Sequence, residues 1–143
     1  MSGEIRPQPW YWVVAVLALL WNLFGCWAYW LQVTMTEAQL AALPPAQRAL
    51  YTSLPTWVTA AFAIAVFGGA LASLMLLLRR RAAEPLFLLS LAGVVAQQVH
   101  MYFLSDTLRV IGGRGMVMPA LVLAMAIFLV WFARRAIANR WLG

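Results

Sequence analysis

The stretch WVTAAFAIAVFGGALASLMLLL (57–78) holds no charged residue, and its reading decides the fold. A helix rising ~1.5 Å per residue needs ~20 residues to cross a ~30 Å hydrocarbon layer, which is the length of this stretch. Three further apolar runs flank it, at about 10–33, 86–104 and 116–133. The four acidic residues (Glu4, Glu37, Glu84, Asp106) and all ten arginines fall outside the four runs. A charge at mid-membrane is costly, so a bilayer imposes this segregation. Backbone groups in lipid must be satisfied within their own segment, so the runs are expected to be helices. A soluble four-helix bundle would show a polar face on each helix, whereas these runs are apolar all round. With 65% hydrophobic and 10% charged residues, the composition agrees. The expectation is an all-α, integral membrane bundle of four helices, up-down-up-down, forming one domain over 1–143.

Within 57–78, Ala61, Ala65, Gly68, Gly69, Ala72 and Ser73 recur at three- and four-residue spacing. Small residues on one stripe let another backbone approach closely, and in lipid that packing drives helix association. These residues are therefore the expected helix-packing surface, with the partner helix left open. The first run carries two aromatic clusters, Trp10-Tyr11-Trp12 and Trp27-Ala28-Tyr29-Trp30, about one bilayer apart. They read as interfacial belts, with Trp57, Trp131 and Trp141 placed likewise near helix ends. No small-residue cleavage site precedes them, so the first run is not expected to be a removable signal.

Orientation follows from arginine counting. Arg6, Arg79, Arg80, Arg81, Arg134, Arg135 and Arg140 fall on one side, seven in all, against Arg48, Arg109 and Arg114 on the other. Positive-inside bias then puts both termini in the cytoplasm. The net charge of +6 is read as topology determinants touching anionic lipid rather than as a nucleic-acid surface. Between the first two runs, Thr36-Glu37-Ala38-Gln39 reads as a capping box opening a short helix that Leu43-Pro44-Pro45 ends. A second short helix is expected over 46–51, the pair lying on the outer surface as a lid. Gly112-Gly113-Arg114-Gly115 lacks the spacing of a phosphate loop and reads as a turn. The lone Cys26 cannot form an internal disulfide. One histidine, with no carboxylate at membrane depth, gives no metal site.

Polar residues inside the runs are the functional lead. The first run offers Asn22, with Gly25, Cys26 and Tyr29 on one face; the third offers Ser90, Gly93, Gln97 and His100, with Gln98 beside them. At ~1.5 Å per residue from the Arg79–Arg81 side, Asn22 lies ~18 Å deep, Gln97 ~17 Å and His100 ~21 Å. Asn22 and Gln97 thus share a level and can bond across the bundle. One interpretation is interhelical glue, worth ~0.6 kcal/mol per bond. The other is a ligand pocket floored by Asn22 and Gln97, with Tyr29 and His100 lining it and Asp106, Arg109 and Arg114 framing its mouth. No acid, base or nucleophile pair accompanies the isolated histidine, so no catalytic residue is assigned and no cofactor is expected.

Met35-Thr36-Glu37-Ala38, Ala41-Ala42-Leu43-Pro44, Arg48-Ala49-Leu50-Tyr51, the 60–69 stretch and Trp131-Phe132-Ala133-Arg134-Arg135 resemble a family of small bacterial four-helix inner-membrane proteins. The resemblance runs over nearly the whole chain and implies a four-helix membrane fold. Members are often labelled sugar transporters automatically, without assigned binding residues. The sequence shows neither the proline-centred three-helix repeat of small sugar transporters nor an internal repeat. Two expectations stand. One is a non-enzymatic membrane component, an accessory subunit or a binder of a small apolar or amphipathic ligand between the first and third helices. The other is a small-solute transporter working as an oligomer. Membrane lipid is the expected partner, with a homo-oligomer or a larger membrane complex left open and no nucleic acid.

Overall fold

The computed structural model describes residues 6–105, 107–112 and 117–143, without the side chains of 108 and 111. Asp106, Arg114 and the expected start of the fourth run at 116 lie outside the described residues. Among these, every regular element is helical: α1 (Pro9–Val33), α2 (Glu37–Ala41), α3 (Pro45–Thr52), α4 (Thr56–Leu77), α5 (Ala83–Val99), a π-helical turn (His100–Leu104), α6 (Thr107–Ile111) and α7 (Val117–Ala138). Four helices, α1, α4, α5 with its π turn, and α7, are long and apolar enough to cross a membrane. Their outward side chains include Phe24, Phe67 and Phe103, which are 63%, 51% and 80% exposed. Such a surface suits acyl chains rather than water. The chain is a multi-pass helical membrane protein.

Two helices extend past the apolar runs. Helix α5 starts at Ala83 rather than 86, because Pro85 sits in its first turn, where a missing N–H breaks no helical bond. Helix α7 continues through Arg134 and Arg135 to Ala138. Arg134 Nε lies 3.1 Å from Glu84 Oε1 of α5, a largely exposed pair of small energetic weight. The Arg135 guanidinium stands 5.7 Å from the Trp131 ring centre.

Helix α4 is the hub, packed on α1 along one side and on α5 along the other, and α5 in turn packs on α7. The small residues explain the hub. Ala61, Ala65, Gly68, Gly69, Ala72 and Ser73 are all buried. A Cβ on Gly69 would collide with the Asn22 amide of α1, and one on Gly68 would touch Ser90 of α5. Gly93 of α5 lies against α4 backbone, where a Cβ would stand 2.6 Å from the Ala61 carbonyl oxygen. Ser90 Oγ donates to the Ala65 carbonyl at 2.6 Å, so the closest helix pair is also cross-bonded.

The Arg79–Arg81 end of the bundle is clasped. Helices α4 and α7 both end in a left-handed residue, Arg79 (φ 56) and Arg140 (φ 58). After each, the next N–H reaches back to close a Schellman-type cap, Arg80 to Met75 and Trp141 to Ala136, both at 2.8 Å. The two caps are tied together: Gly143 N–H donates to the Arg79 carbonyl at 2.8 Å and Arg81 N–H to the Gly143 carbonyl at 2.9 Å. Trp141 and Tyr11 are therefore not surface anchors, as expected from the sequence, but buried at 6% and 0% exposure. Tyr11 stacks on Phe132 and donates its hydroxyl to the Leu76 carbonyl, filling the space between α1, α4 and α7. Trp10, Trp12, Trp27, Trp30, Trp57 and Trp131 are exposed, as belt residues should be.

The loop between α1 and α4 folds as two short helices. Thr36 and Gln39 form the reciprocal capping box, with Gln39 N–H to Thr36 Oγ1 at 3.1 Å and Thr36 N–H to Gln39 Oε1 at 2.9 Å. Arg48 of α3 closes the other end of α2, donating to the carbonyls of Leu40, Ala41 and Leu43. Helix α3 then rests on α6.

Candidate functional site

A cavity of about 280 Å³ lies between α1, α4, α5 and α7. Small residues from three helices, Gly25, Ala65 and Ala126, are part of its lining. Its walls are mostly apolar, with Phe24, Phe62, Met101, Val122 and Leu129 among them. None of the described residues lining it carries a charge.

Asn22 and Gln97 both line this cavity, as their shared depth suggested. They do not bond to one another. Asn22 Nδ2 donates to the Ala18 carbonyl at 2.8 Å and to Ser73 Oγ at 3.3 Å, so this amide is turned toward α4. Ser73 Oγ passes the chain on to the Gly69 carbonyl at 2.8 Å. Two other polar side chains in the wall are committed as well. Ser90 Oγ bonds the Ala65 carbonyl, and Gln98 Nε2 bonds the Pro119 carbonyl of α7 at 2.7 Å. The Gln97 amide, partly buried on the wall, has no hydrogen-bond partner among the described residues.

The remaining candidates sit elsewhere. Tyr29 packs edge-on to Phe62 and Phe67, both at 5.4 Å, in the seam between α1 and α4. It lies there because it shares a face with Asn22 and Cys26, whose Sγ meets the Val66 carbonyl at 3.5 Å. That face packs on α4, where a Cβ on Gly25 would also stand 2.9 Å from Val66, while Trp21 and Ala28 line the cavity. His100 opens the π turn and meets the Trp57 ring edge-on at 5.6 Å. With Leu50 of α3, Ser53 just after it and Ser105, it lines a second cavity of about 500 Å³ beside α3. Arg109 is exposed on α6, whose Val110 lines that second cavity. Asp106 and Arg114 lie outside the described residues. The structure thus brings Asn22 and Gln97 to one cavity and separates His100, Tyr29 and Arg109 from it.

Sequence reasoning missed the roles of Gln98 and Gly93. Gln98 was read only as a neighbour of the Gln97 stripe, and it is the amide that ties α5 to α7. The signal was there in its position: one residue after Gln97 is a 100° turn of the helix, which aims it at the next neighbour.

Helix α1 has one extensive helical neighbour among the described residues, α4. It meets α7 through Trp10 and Tyr11 against Phe132 at the clasped end, with ring centres 5.7 and 5.6 Å apart. Further along, both helices line the central cavity. Site and fold together define a helical membrane protein with a partly open, uncharged cavity in its interior. No protein-family model, curated protein or solved structure matches the chain.

Proposed function

We propose that the protein is a non-catalytic component of a bacterial inner membrane that binds an amphipathic, lipid-like ligand in the central cavity. The gap between α1 and α7 is the entrance, reached sideways from the bilayer. In this reading the four long helices run up-down-up-down, with both termini and the arginine-rich clasp in the cytoplasm and α2 and α3 outside. The family of small four-helix inner-membrane proteins that the sequence resembles is the natural home for such a chain.

One observation carries the reading. Gln97 lines a mostly apolar cavity and its amide has no hydrogen-bond partner among the described residues, while Asn22, Ser90 and Gln98 around it already donate to protein. An amide in hydrocarbon without a partner is costly, so a ligand group that meets it gains free energy that plain packing cannot supply. Transport of a polar solute would instead need hydrogen-bonding side chains on α7, whose contribution to the wall (Met118, Pro119, Val122, Ala126, Leu129) is apolar.

The test is the lipid carried through purification. Native mass spectrometry of the wild type is expected to show a tightly held lipid. Ala126→Phe, which fills the cavity, should remove it while shifting Tm by only a few degrees, since the ring occupies existing space. Lipid retention undiminished in Ala126→Phe would overturn the assignment of this cavity as the binding site.

A further inference from the structure

The central cavity is selective in a way its walls make explicit. Among the described residues its lining contains no arginine, lysine, histidine, aspartate or glutamate. At ~1.5 Å per residue, Gln97 lies ~10 Å inside the end of the π turn and ~21 Å from the start of α5, deep in the hydrocarbon layer. An ionised phosphate or carboxylate taken to that depth would meet no cation, and an isolated charge there is among the costliest groups a protein can bury. A phospholipid keeps its headgroup at the interface, so its entering acyl chain would leave Gln97 unsatisfied. The other polar side chains that line the cavity have donated to protein, Asn22 to Ala18 and Ser73, Ser90 to Ala65 and Gln98 to Pro119, so that among the described lining residues only Gln97 has both halves of its amide unbonded. Gln97 offers both a carbonyl acceptor and an NH₂ donor.

We infer that the occupant is an uncharged lipid whose single polar group, a hydroxyl or carbonyl, hydrogen-bonds Gln97 within the hydrocarbon layer while its chain passes out between α1 and α7. The inference rests on the reading of this cavity as the ligand site. It excludes fatty-acid anions and phospholipid headgroups as the group recognised, and it admits neutral long-chain alcohols, esters and ring ketones. Selection comes from desolvation: a neutral hydroxyl leaves water cheaply and is repaid by one bond in a dry site, whereas a carboxylate is not repaid.

Three probes of equal chain length separate the terms: octadecene with no polar group, oleyl alcohol, and oleate held ionised at pH 9. Binding to delipidated protein is read by native mass spectrometry at fixed mole fraction in detergent. The wild type should prefer the alcohol over the alkene by about tenfold, the size of one dry hydrogen bond. Gln97→Leu should erase that preference while still binding the alkene, and oleate should bind more weakly than the alcohol. Oleate binding as tightly as the alcohol, or an alcohol preference that survives Gln97→Leu, overturns the inference. If Ala126→Phe and Val122→Phe both leave binding of every probe unchanged, the cavity itself is not the site and the broader reading falls with it. If those variants abolish binding but oleate matches the alcohol, the site stands and only its neutrality is lost. Both variants are checked for a cooperative melt, so that loss of binding is not loss of fold.

Discussion

An added methyl at Gly93 would stand 2.6 Å from the Ala61 carbonyl oxygen and 2.9 Å from the Ala65 backbone nitrogen, atoms that cannot swing aside. Relief requires moving α5 off α4, with loss of the Ser90–Ala65 bond. Gly93→Ala should therefore cost about 2 kcal/mol or more, as overpacking does. Gly68 looks alike in sequence and differs in fact, because its added Cβ would sit 3.7 Å from Ser90, an ordinary contact. Gly68→Ala should leave Tm nearly unchanged, and a melting series in detergent checks the pair. Equal losses in the two variants would mean that α4 and α5 are not this close at Gly93. The small-residue stripe was legible from spacing, but its division of labour was not. Gly68 and Gly69 are adjacent and point 100° apart, one at α5 and one at α1. Spacing reveals that backbones can approach; it does not say which neighbour approaches where.

Helix ends test a different kind of legibility. Apolar-run counting stops at the first charge, so the fourth helix was expected to end at 133. Backbone hydrogen bonding takes no notice of that boundary, and α7 continues to Ala138, with arginines at positions where long side chains reach the interface. The true end is set by the left-handed Arg140, a position that glycine usually fills because a Cβ is strained there. Arg140 is exposed, so Arg140→Gly should remove that strain and stabilise the protein by about 1 kcal/mol. At the matching position of α4, Arg79→Gly should gain less or lose, since Arg79 Nε also donates to the Trp141 carbonyl at 3.0 Å. Thermal melts of the two variants decide it: a lower Tm for Arg140→Gly than for Arg79→Gly would contradict this account of the clasp. The capping box at Thr36 was legible for the opposite reason. Its two hydrogen bonds are local, and local chemistry at fixed spacing does not depend on how distant helices rotate.

At the scale of the molecule, depth was readable and rotation was not. Counting ~1.5 Å per residue placed Asn22 and Gln97 at one level, and they do line one cavity. Helices that are apolar on every side carry no amphipathic signal to fix their rotation, so of the two alternatives that shared depth left open the bond between the amides is not made, and Asn22 faces Ser73 instead. The same lack of signal hid the seam that holds Tyr29 and the second cavity that His100 lines. Orientation across the bilayer rests on charge alone, and it can be tested apart from every contact in the fold. Transferring seven arginines instead of three would be required to invert the bundle, which is the basis of the proposed cytoplasmic clasp. In a Cys26→Ala background, Ala42→Cys and Ala82→Cys report on opposite ends, and both positions are exposed. An impermeant thiol reagent added to intact cells should label Ala42→Cys, and should label Ala82→Cys only after the membrane is opened. Labelling of Ala82→Cys in intact cells, with Ala42→Cys protected, would turn the whole protein over. The proposed ligand entrance would survive that reversal, since an opening between α1 and α7 would face lipid whichever end is inside.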